Sequence, residues 1–217
     1  ASSVNGNLLS RANLLRFIRT FWQAASQSCG YVLEFGVLNG QSTIELYGTL
    51  RGLLTHIYGF DSFAGLPALS GQDQQGLPLM PDFREGNFHA MPADMVKRSI
   101  LASAHGLQPD QLTLTEGFFS ETLPAFDKRE LEGQGPCLLA HVDCDLYSSS
   151  RDVFRFLDEV VTTGTWLLLD DYWTYRGSPH QGQRRAFDEW MAESRRVGVS
   201  EYGSYNGFCK AYVVYEK

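Results

Sequence analysis

The chain has 217 residues, a length that allows one large domain or two very small ones. Its 18 Lys and Arg residues against 25 Asp and Glu residues give a net charge of −7, which argues against a nucleic-acid-binding domain and a polybasic membrane binder. A hydrophobic fraction of 43% excludes a wholly disordered chain. No apolar run reaches the ~18 residues that span a bilayer, and the polar residues 1–7 do not resemble a signal peptide. We therefore expect a soluble, cytoplasmic protein with a single domain over 1–217.

The four cysteines agree with a reducing compartment. Cys29, Cys137, Cys144 and Cys209 include no C-x-x-C pair, and no pair of histidines lies near them at zinc-finger spacing. Three of them lie in segments typical of strands, where a thiol behaves as a small buried hydrophobe. A disulfide framework is unusual in a chain that can form a core of this size, so we expect free thiols.

The first part of the chain has the pattern of a parallel α/β unit. Apolar residues recur at helical spacing near its start and predict an opening amphipathic helix. A buried strand is predicted over 31–35, a helix over 41–50 with capping-box spacing at Ser42 and Glu45, and a second strand over 56–60. Strand, glycine turn, helix and strand in this order are typical of a βαβ unit in a parallel sheet.

The 62–92 segment interrupts this rhythm. It is rich in glycine and proline and has little periodicity, so we expect a lid-like loop without regular structure. The later predicted elements are a helix from Pro92 to about Ala104, strands over 112–115, 136–145 and 165–170, a helix beginning at Ser149, a helix over 181–194 and a final strand over 208–215. Together these elements predict one doubly wound α/β domain.

Acidic residues stand at the ends of almost all predicted strands. Ligands of open α/β sheets bind outside the carboxyl ends of the strands, so these carboxylates are expected on one ligand-binding rim. The alternative is that each carboxylate caps the helix that follows it. The seven residues are Glu34, Asp61, Glu116, Asp143, Asp145, Asp170 and Asp171.

The turn after the first strand, EFGVLNGQS, is a candidate cofactor site. Gly36 and Gly40 let the backbone approach a ligand closely, and the following helix start offers free N–H groups. The spacing is G-x-x-x-G and not the dinucleotide motif G-x-G-x-x-G, and the preceding Glu34 suits an ammonium group better than a pyrophosphate. Asp61 ends the next strand, where a carboxylate can accept both ribose hydroxyls. An amino acid joined to a ribose is S-adenosylmethionine.

Four aspartates form a second candidate site. Asp143 and Asp145 alternate at the end of the fourth strand and are expected to point to one side, while Asp170 and Asp171 end the fifth. Crowded carboxylates repel one another unless a cation lies among them, and oxygen ligands favour a hard ion such as Mg²⁺. Capping of the next helix is an equally good interpretation of Asp145. His141, on an apolar strand, is expected to be a core histidine.

Several motifs carry a family resemblance. They are LEFGVLNGQST (33–43), YGFDSFAGLP (58–67), LTEGFFSETLP (114–124), HVDCDLYSSS (141–150), LLLDDYWTYRG (167–177) and AFDEW (186–190). In this order, and over nearly the whole chain, they resemble the macrocin O-methyltransferase (TylF-type) family, which includes sugar O-methyltransferases of macrolide and aminocoumarin biosynthesis. HVDCDLY together with DDY is the most specific combination.

The resemblance implies a class I methyltransferase (Rossmann-like) fold, with a doubly wound, mostly parallel seven-stranded sheet and a final antiparallel strand. It also implies S-adenosylmethionine as donor and a requirement for Mg²⁺. Asp143, Asp170 and Asp171 match the metal-binding positions, and the implied catalytic residues are Asp143, which matches the general base, and Asp145. The implied cofactor-binding residues are Glu34, Gly36, Asn39, Gly40, Ser42, Asp61, Ser62, Glu116, Gly117, Phe118 and Asp143.

These observations predict a Mg²⁺-dependent O-methyltransferase acting on a hydroxyl, of a sugar on a glycosylated small molecule or, alternatively, of a catechol or phenol. A nicotinamide-dependent oxidoreductase would share Asp61 but needs the missing G-x-G-x-x-G motif. A phospho-acceptor module of ~120 residues also gathers aspartates around Mg²⁺, but no lysine follows the fifth strand. We expect a small-molecule acceptor and a homo-oligomer, with no nucleic-acid or membrane partner.

Overall fold

The computed structural model describes residues 9–25 and 29–217. In these ranges the chain forms seven strands: β1 (Gly30–Phe35), β2 (Leu54–Asp61), β3 (Leu112–Glu116), β4 (Cys137–Val142), β5 (Trp166–Leu169), β6 (Val197–Tyr205) and β7 (Cys209–Glu216). The α-helices in the same ranges are α1 (Arg11–Ala25), α2 (Gln41–Leu50), α3 (Gly71–Gly76), α4 (Ala93–Ser103), α5 (Phe119–Ala125), α6 (Tyr147–Val160) and α7 (Gly182–Glu193). None of these helices has both the length and the apolar character needed to cross a membrane.

All seven strands belong to one sheet, in the order β3-β2-β1-β4-β5-β7-β6. The pairs from β3 to β5 are parallel, whereas β7 runs antiparallel to both of its neighbours, β5 and β6. The predicted doubly wound, mostly parallel sheet with a final antiparallel strand is confirmed. Successive strands proceed outward from β1 in one direction and from β4 in the other, so the switch point, where ligands bind in such sheets, lies between these two strands.

Both faces of the sheet are covered by helices. One apolar cluster joins the sheet to α5, α6 and α7, and a second joins it to α1, α2 and α4. Every residue of β1 and β4 is buried, which explains why these strands read as continuous apolar runs and not as alternating ones. The helical layers therefore fix the two central strands whose carboxyl ends flank the switch point.

Three details of the predicted elements are wrong. The fourth strand does not extend to Asp145, because it ends at Val142 and Asp145 takes a left-handed backbone with φ 59°. The capping box at Ser42 and Glu45 does not form, because the N-cap of α2 is Gly40 and Ser42 lies inside the helix. In addition, α6 begins at Tyr147, before the predicted start.

The 62–92 segment is ordered and contains a helix, which corrects the expectation of a structureless lid. The short helix α3 begins with a full capping box between Ser70 and Asp73. The two ends of the segment are joined where Leu66 and Asn87 share a backbone hydrogen bond of 2.9 Å. An apolar cluster of Leu66, Phe83, Leu146 and Tyr175 packs the segment against the rest of the molecule.

The four cysteines are free thiols in the structure. Cys137, Cys144 and Cys209 are buried and Cys29 is exposed. Cys144 follows β4 instead of lying within it. The buried thiols therefore act as small apolar side chains of the core.

Candidate functional site

A cavity of about 460 Å³ lies at the carboxyl ends of the central strands, within the range of small-molecule sites. It is bounded by the turn after β1, the ends of β2 and β3, the residues after β4, the first turns of α6, and the 62–92 segment. Its apolar wall includes Leu66, Pro67, Ala68, Leu69, Phe88, Phe118 and Phe119. The position is that predicted for a ligand at the switch point.

The glycines of the first turn are required by close backbone contacts. At Gly36, with φ 91°, a Cβ atom would lie 1.8 Å from the carbonyl oxygen of Asp143. At Gly40, with φ 80°, it would lie 2.3 Å from the Ile100 side chain. The amide of Asp143 donates to the carbonyl of Phe35 at 2.8 Å, so the ends of β1 and β4 are held together here. Only glycine fits at position 36, where the end of β1 meets the backbone that follows β4.

Asp61 fixes the same turn from the end of β2. Its Oδ2 accepts the amides of Val37 at 2.7 Å and Leu38 at 2.8 Å, and its Oδ1 accepts the amide of Phe63 at 2.6 Å. These bonds hold the carboxylate at the cavity wall in one orientation. A fixed acceptor at this place fits the role predicted for it toward ribose hydroxyls.

The structure divides the predicted cofactor-binding residues into two sets. Those that line the cavity are Gly36, Asp61, Ser62, Gly117, Phe118 and Asp143. Those outside the lining are Glu34, Asn39, Gly40, Ser42 and Glu116. The cavity also has lining residues that the sequence patterns did not single out, among them Leu38, Phe119 and Ser120. Leu38 lies within the glycine turn, and Phe119 and Ser120 lie within the motif EGFFS, so membership of those motifs was the available signal.

Glu34, for which a direct contact with the cofactor was predicted, lies outside the cavity lining. Its side chain is fully buried, and Oε2 accepts the hydroxyl of Thr43 on α2 at 2.6 Å. Its Oε1 lies 3.5 Å from Nδ1 of His141. Glu34 therefore faces the buried interior, where its carboxylate contacts α2 and β4.

The aspartates gather into two overlapping groups. Ligand atoms of Asp143, Asp145 and Asp171 lie within 4.8 Å of one another, and so do those of His141, Asp143 and Asp170. Asp143 belongs to both groups, whereas Asp170 and Asp171 fall into different ones. The predicted set of Asp143, Asp170 and Asp171 does not form a single group, and Asp143 is the member that joins the two.

Asp145 reaches this cluster by its backbone conformation and not by strand alternation. Its amide donates to Oδ2 of Asp171 at 2.9 Å, and its φ of 59° is uncommon for a residue with a Cβ atom. Asp171 in turn accepts the hydroxyl of Thr174 at 3.2 Å, and its own amide donates to Gln183 at 3.0 Å. Such backbone conformations occur at functional sites where the surroundings hold them.

The pKa values of the cluster show uncompensated negative charge. Burial, with repulsion from Asp171 and Asp170, raises the pKa of Asp143 to about 8. Burial and the same neighbours raise the pKa of Asp145 well above its usual range, and burial raises that of Asp171 to about 6. A divalent cation would relieve this repulsion, and carboxylate oxygens are the ligands that Mg²⁺ prefers. The donor set therefore fits Mg²⁺.

Asp170 differs from the other three because cationic and hydroxyl groups surround it. Burial opposes ionisation, but His141, Tyr205 and Arg11 outweigh it and lower the pKa of Asp170 to about 2. Burial likewise disfavours the charged form of His141, but Asp170 and Glu34 outweigh it, so the pKa of His141 is raised well above its usual range. Asp170 is therefore an ionised carboxylate in a fixed environment.

The 62–92 segment touches the site through Asp73, a residue that the sequence patterns did not single out. Asp73 is 3% exposed, and its Oδ1 accepts the amide of Ser148 in the first turn of α6 at 3.2 Å. Tyr175 packs under the same segment and its hydroxyl donates to the carbonyl of Asp145 at 3.3 Å. The segment is thus connected to the cavity wall by buried polar contacts.

Comparisons with known proteins agree with this architecture. A family model described as macrocin-O-methyltransferase (TylF) matches residues 12–195. The 8-demethyl-8-(2,3-dimethoxy-alpha-L-rhamnosyl)-tetracenomycin-C 4'-O-methyltransferase of Streptomyces olivaceus is 29% identical over 147 residues, which cover 66% of this chain and 53% of that protein. The mycinamicin III 3''-O-methyltransferase of Micromonospora griseorubida is 26% identical over 182 residues, covering 78% and 67%. The chain spans about half the length of the first of these relatives.

Solved structures show the same fold. The O-methyltransferase NovP superposes with a TM-score of 0.70 at 21% identity, covering 95% of this chain and 79% of that one. The calicheamicin methyltransferase CalS11 gives a TM-score of 0.69 at 21% identity, covering 94% and 80%. At this identity the likeness concerns the fold alone.

Proposed function

The chain belongs to the macrocin O-methyltransferase (TylF) family, whose model matches residues 12–195, and from this premise we propose that it transfers a methyl group from S-adenosylmethionine to a hydroxyl group with the help of Mg²⁺. The observation that carries the proposal is the cavity at the switch point, where Asp61 borders the same space as Asp143 and Asp145 of the aspartate cluster. One side of this space suits the cofactor and the other a hydroxyl acceptor.

The lining favours S-adenosylmethionine over a dinucleotide. Asp61 provides a fixed acceptor for ribose hydroxyls, and the Gly117–Phe118 turn offers an apolar surface for a base. The acidic rim suits a sulfonium and an ammonium group, whereas a pyrophosphate would meet carboxylates and a single lining cation, Arg151. The missing G-x-G-x-x-G motif weighs against the nicotinamide alternative in the same way.

The residues that would hold Mg²⁺ are Asp143, Asp170 and Asp171, the positions implied by the family resemblance. Asp143 shares one group with Asp171 and Asp145 and the other with Asp170. The bound ion would supply Lewis-acid polarisation of the acceptor hydroxyl. Asp143 lines the cavity and is the first candidate to accept the proton of the acceptor hydroxyl. Asp145 also lines the cavity and is the second candidate for this role. Transfer forms an O–CH₃ bond and breaks the S–CH₃ bond, and the hydroxyl proton passes to the aspartate.

The proposed acceptor is a sugar hydroxyl of a glycosylated natural product. The support comes from the relatives, whose names describe methylation of a rhamnosyl tetracenomycin and of mycinamicin III. The apolar wall formed by Leu66–Leu69 and Phe88 offers a surface for an aglycone. A catechol or phenol is the alternative acceptor. The homo-oligomer and the cytoplasmic location stay predictions.

A methyl-transfer assay tests this function. The protein is incubated with isotopically labelled S-adenosylmethionine and two acceptor panels, glycosylated natural products and catechols, with either MgCl₂ or excess EDTA. We expect labelled product from the glycosylated panel in MgCl₂ only. Product from the catechol panel alone would show that the acceptor is a catechol and not a sugar. Equal turnover in EDTA would refute the metal requirement. The absence of product from both panels, together with no binding of S-adenosylmethionine, would refute the function.

A further inference from the structure

His141 is a fully buried histidine whose two ring nitrogens both face carboxylates. It lies in β4 with 0% exposure, with Nδ1 3.5 Å from Oε1 of Glu34 and Nε2 3.2 Å from Oδ1 of Asp170. Within the part of the chain that the structure describes, neither nitrogen makes a hydrogen bond, so its contacts with the two carboxylates are ion-pair contacts. Buried polar groups are almost always paired, so an imidazole placed between two carboxylates has a specific reason to be there.

Glu34 holds one side of the imidazole in place. Glu34 and His141 are register partners in the parallel pair β1–β4, so their side chains stand side by side on the same face of the sheet. The second oxygen of Glu34 accepts the Thr43 hydroxyl at 2.6 Å. The ring is therefore oriented by two central strands and, through Glu34, by α2.

Asp170 lies on the other side of the imidazole and is held from three directions. The hydroxyl of Tyr205 donates to Oδ1 at 2.5 Å, and the Arg11 guanidinium donates to Oδ2 at 3.4 Å. Arg11 is itself anchored to Glu45 of α2 at 2.8 Å. Ligand atoms of His141, Asp143 and Asp170 all lie within 4.8 Å of one another.

We propose that His141, held by Glu34, is a positioning residue that sets the Asp170 carboxylate beside Asp143 for binding of a divalent cation. This inference rests on the metal requirement of the proposed function. It gives Glu34 an indirect role at the metal, in place of the direct cofactor contact predicted from the sequence. Groups that orient metal-binding carboxylates change metal affinity about 10–100-fold when they are replaced.

Neither Glu34 nor His141 lines the cavity, so the cofactor site should not sense their loss. The proposal therefore predicts a split: Mg²⁺ affinity falls while affinity for S-adenosylhomocysteine stays the same. A merely structural role would weaken both ligands together. This difference separates positioning from general destabilisation.

Two substitutions test which nitrogen matters. The amide of His141→Asn occupies the place of Nδ1 and can keep the contact with Glu34, whereas that of His141→Gln occupies the place of Nε2 and can keep the contact with Asp170. The matched control is His56→Asn, since His56 is a partly buried strand histidine whose Nε2 contacts Thr113 at 2.9 Å, away from the aspartates. If His141→Asn fails to fold, Glu34→Gln, which can still accept the Thr43 hydroxyl, takes its place.

The measurement is isothermal titration of the full chain with MgCl₂ and, separately, with S-adenosylhomocysteine. We expect His141→Asn to bind Mg²⁺ about 10–100-fold more weakly, His141→Gln to lie within about threefold of wild type, and cofactor affinity to be unchanged in both. Glu34→Gln should weaken Mg²⁺ in the same direction. Wild-type Mg²⁺ affinity in His141→Asn, or equal loss of both ligands, would overturn the positioning role. A wild-type protein that binds S-adenosylhomocysteine but not Mg²⁺ would instead refute the metal requirement, and this inference with it.

Discussion

Replacement of Asp143 by asparagine should stabilise the metal-free protein while removing its binding of Mg²⁺. The Asp143 side chain stands in both aspartate groups, where burial and repulsion from Asp171 and Asp170 raise its pKa to about 8. Its backbone contacts with Phe35 and Gly36 do not depend on the carboxylate. Asparagine keeps the shape of the side chain and removes the charge, so the repulsion should disappear without loss of packing.

The magnitude follows from the difference in proton binding between the folded and unfolded chain. The carboxyl keeps its proton up to about pH 8 in the folded protein but loses it near its ordinary value of 3.8 when unfolded. The folded state binds more protons between these values, so stability of the metal-free protein falls as pH rises through that window. At pH 7 the ~3 pH units above 3.8, at ~1.4 kcal/mol each, give an upper limit of roughly 4 kcal/mol.

The assay is urea unfolding in excess EDTA at pH 4.5 and pH 7.5. We expect Asp143→Asn to be more stable than wild type by about 2–4 kcal/mol at the higher pH and by about 1 kcal/mol or less at the lower one. The control is Asp94→Asn, an aspartate on α4 that is 61% exposed and pairs with Arg98, and its effect should stay below about 0.5 kcal/mol. An Asp143→Asn variant that is less stable than wild type at pH 7.5 would refute the reasoning.

Two further substitutions probe the turn after β1 and the 62–92 segment. Gly36→Ala should destabilise the protein by more than about 3 kcal/mol, because its Cβ would lie 1.8 Å from the carbonyl oxygen of Asp143. The matched control is Gly48→Ala inside α2, whose Cβ would meet no neighbouring group within 4 Å. This control should stabilise the protein by up to about 1 kcal/mol. Equal effects of Gly36→Ala and Gly48→Ala on the free energy of unfolding in urea would show that the contact between Gly36 and the backbone of Asp143 leaves room for a side chain. Asp73→Ala should cost about 1–2 kcal/mol, since it removes the Asp73 half of the capping box of α3 and the acceptor for the Ser148 amide. Unchanged stability and unchanged hydrogen exchange at the first turn of α6 would contradict that role.

The sequence was sufficient for the order of the central elements because burial dominates there. β1 and β4 are buried along their whole length, so they appear as apolar runs, and the acidic residues mark where each run ends. Asp61 and Asp143 at the cavity follow directly from that pattern. The end of the fourth strand did not follow from that pattern, because a left-handed turn at Asp145 has no sequence signal when the residue is not glycine.

Contacts between distant segments were beyond the reach of sequence patterns. β6 was not located because the middle of the strand, around Glu201 and Tyr202, is exposed and gives no apolar run. The order in the 62–92 segment depends on Leu146 and Tyr175, which are far from it in the chain. Glu34 was misplaced for a similar reason, since its partner His141 becomes its neighbour only when β1 pairs with β4.

The most direct test of the proposed site is a crystal structure of the protein with S-adenosylhomocysteine and MgCl₂. We expect the ribose at Asp61, the base beside Phe118, and a metal ion with Asp143 among its ligands. A cofactor bound elsewhere, or an ordered cofactor in a cavity whose aspartates hold no ion at saturating MgCl₂, would contradict the proposed Mg²⁺-dependent methyl transfer.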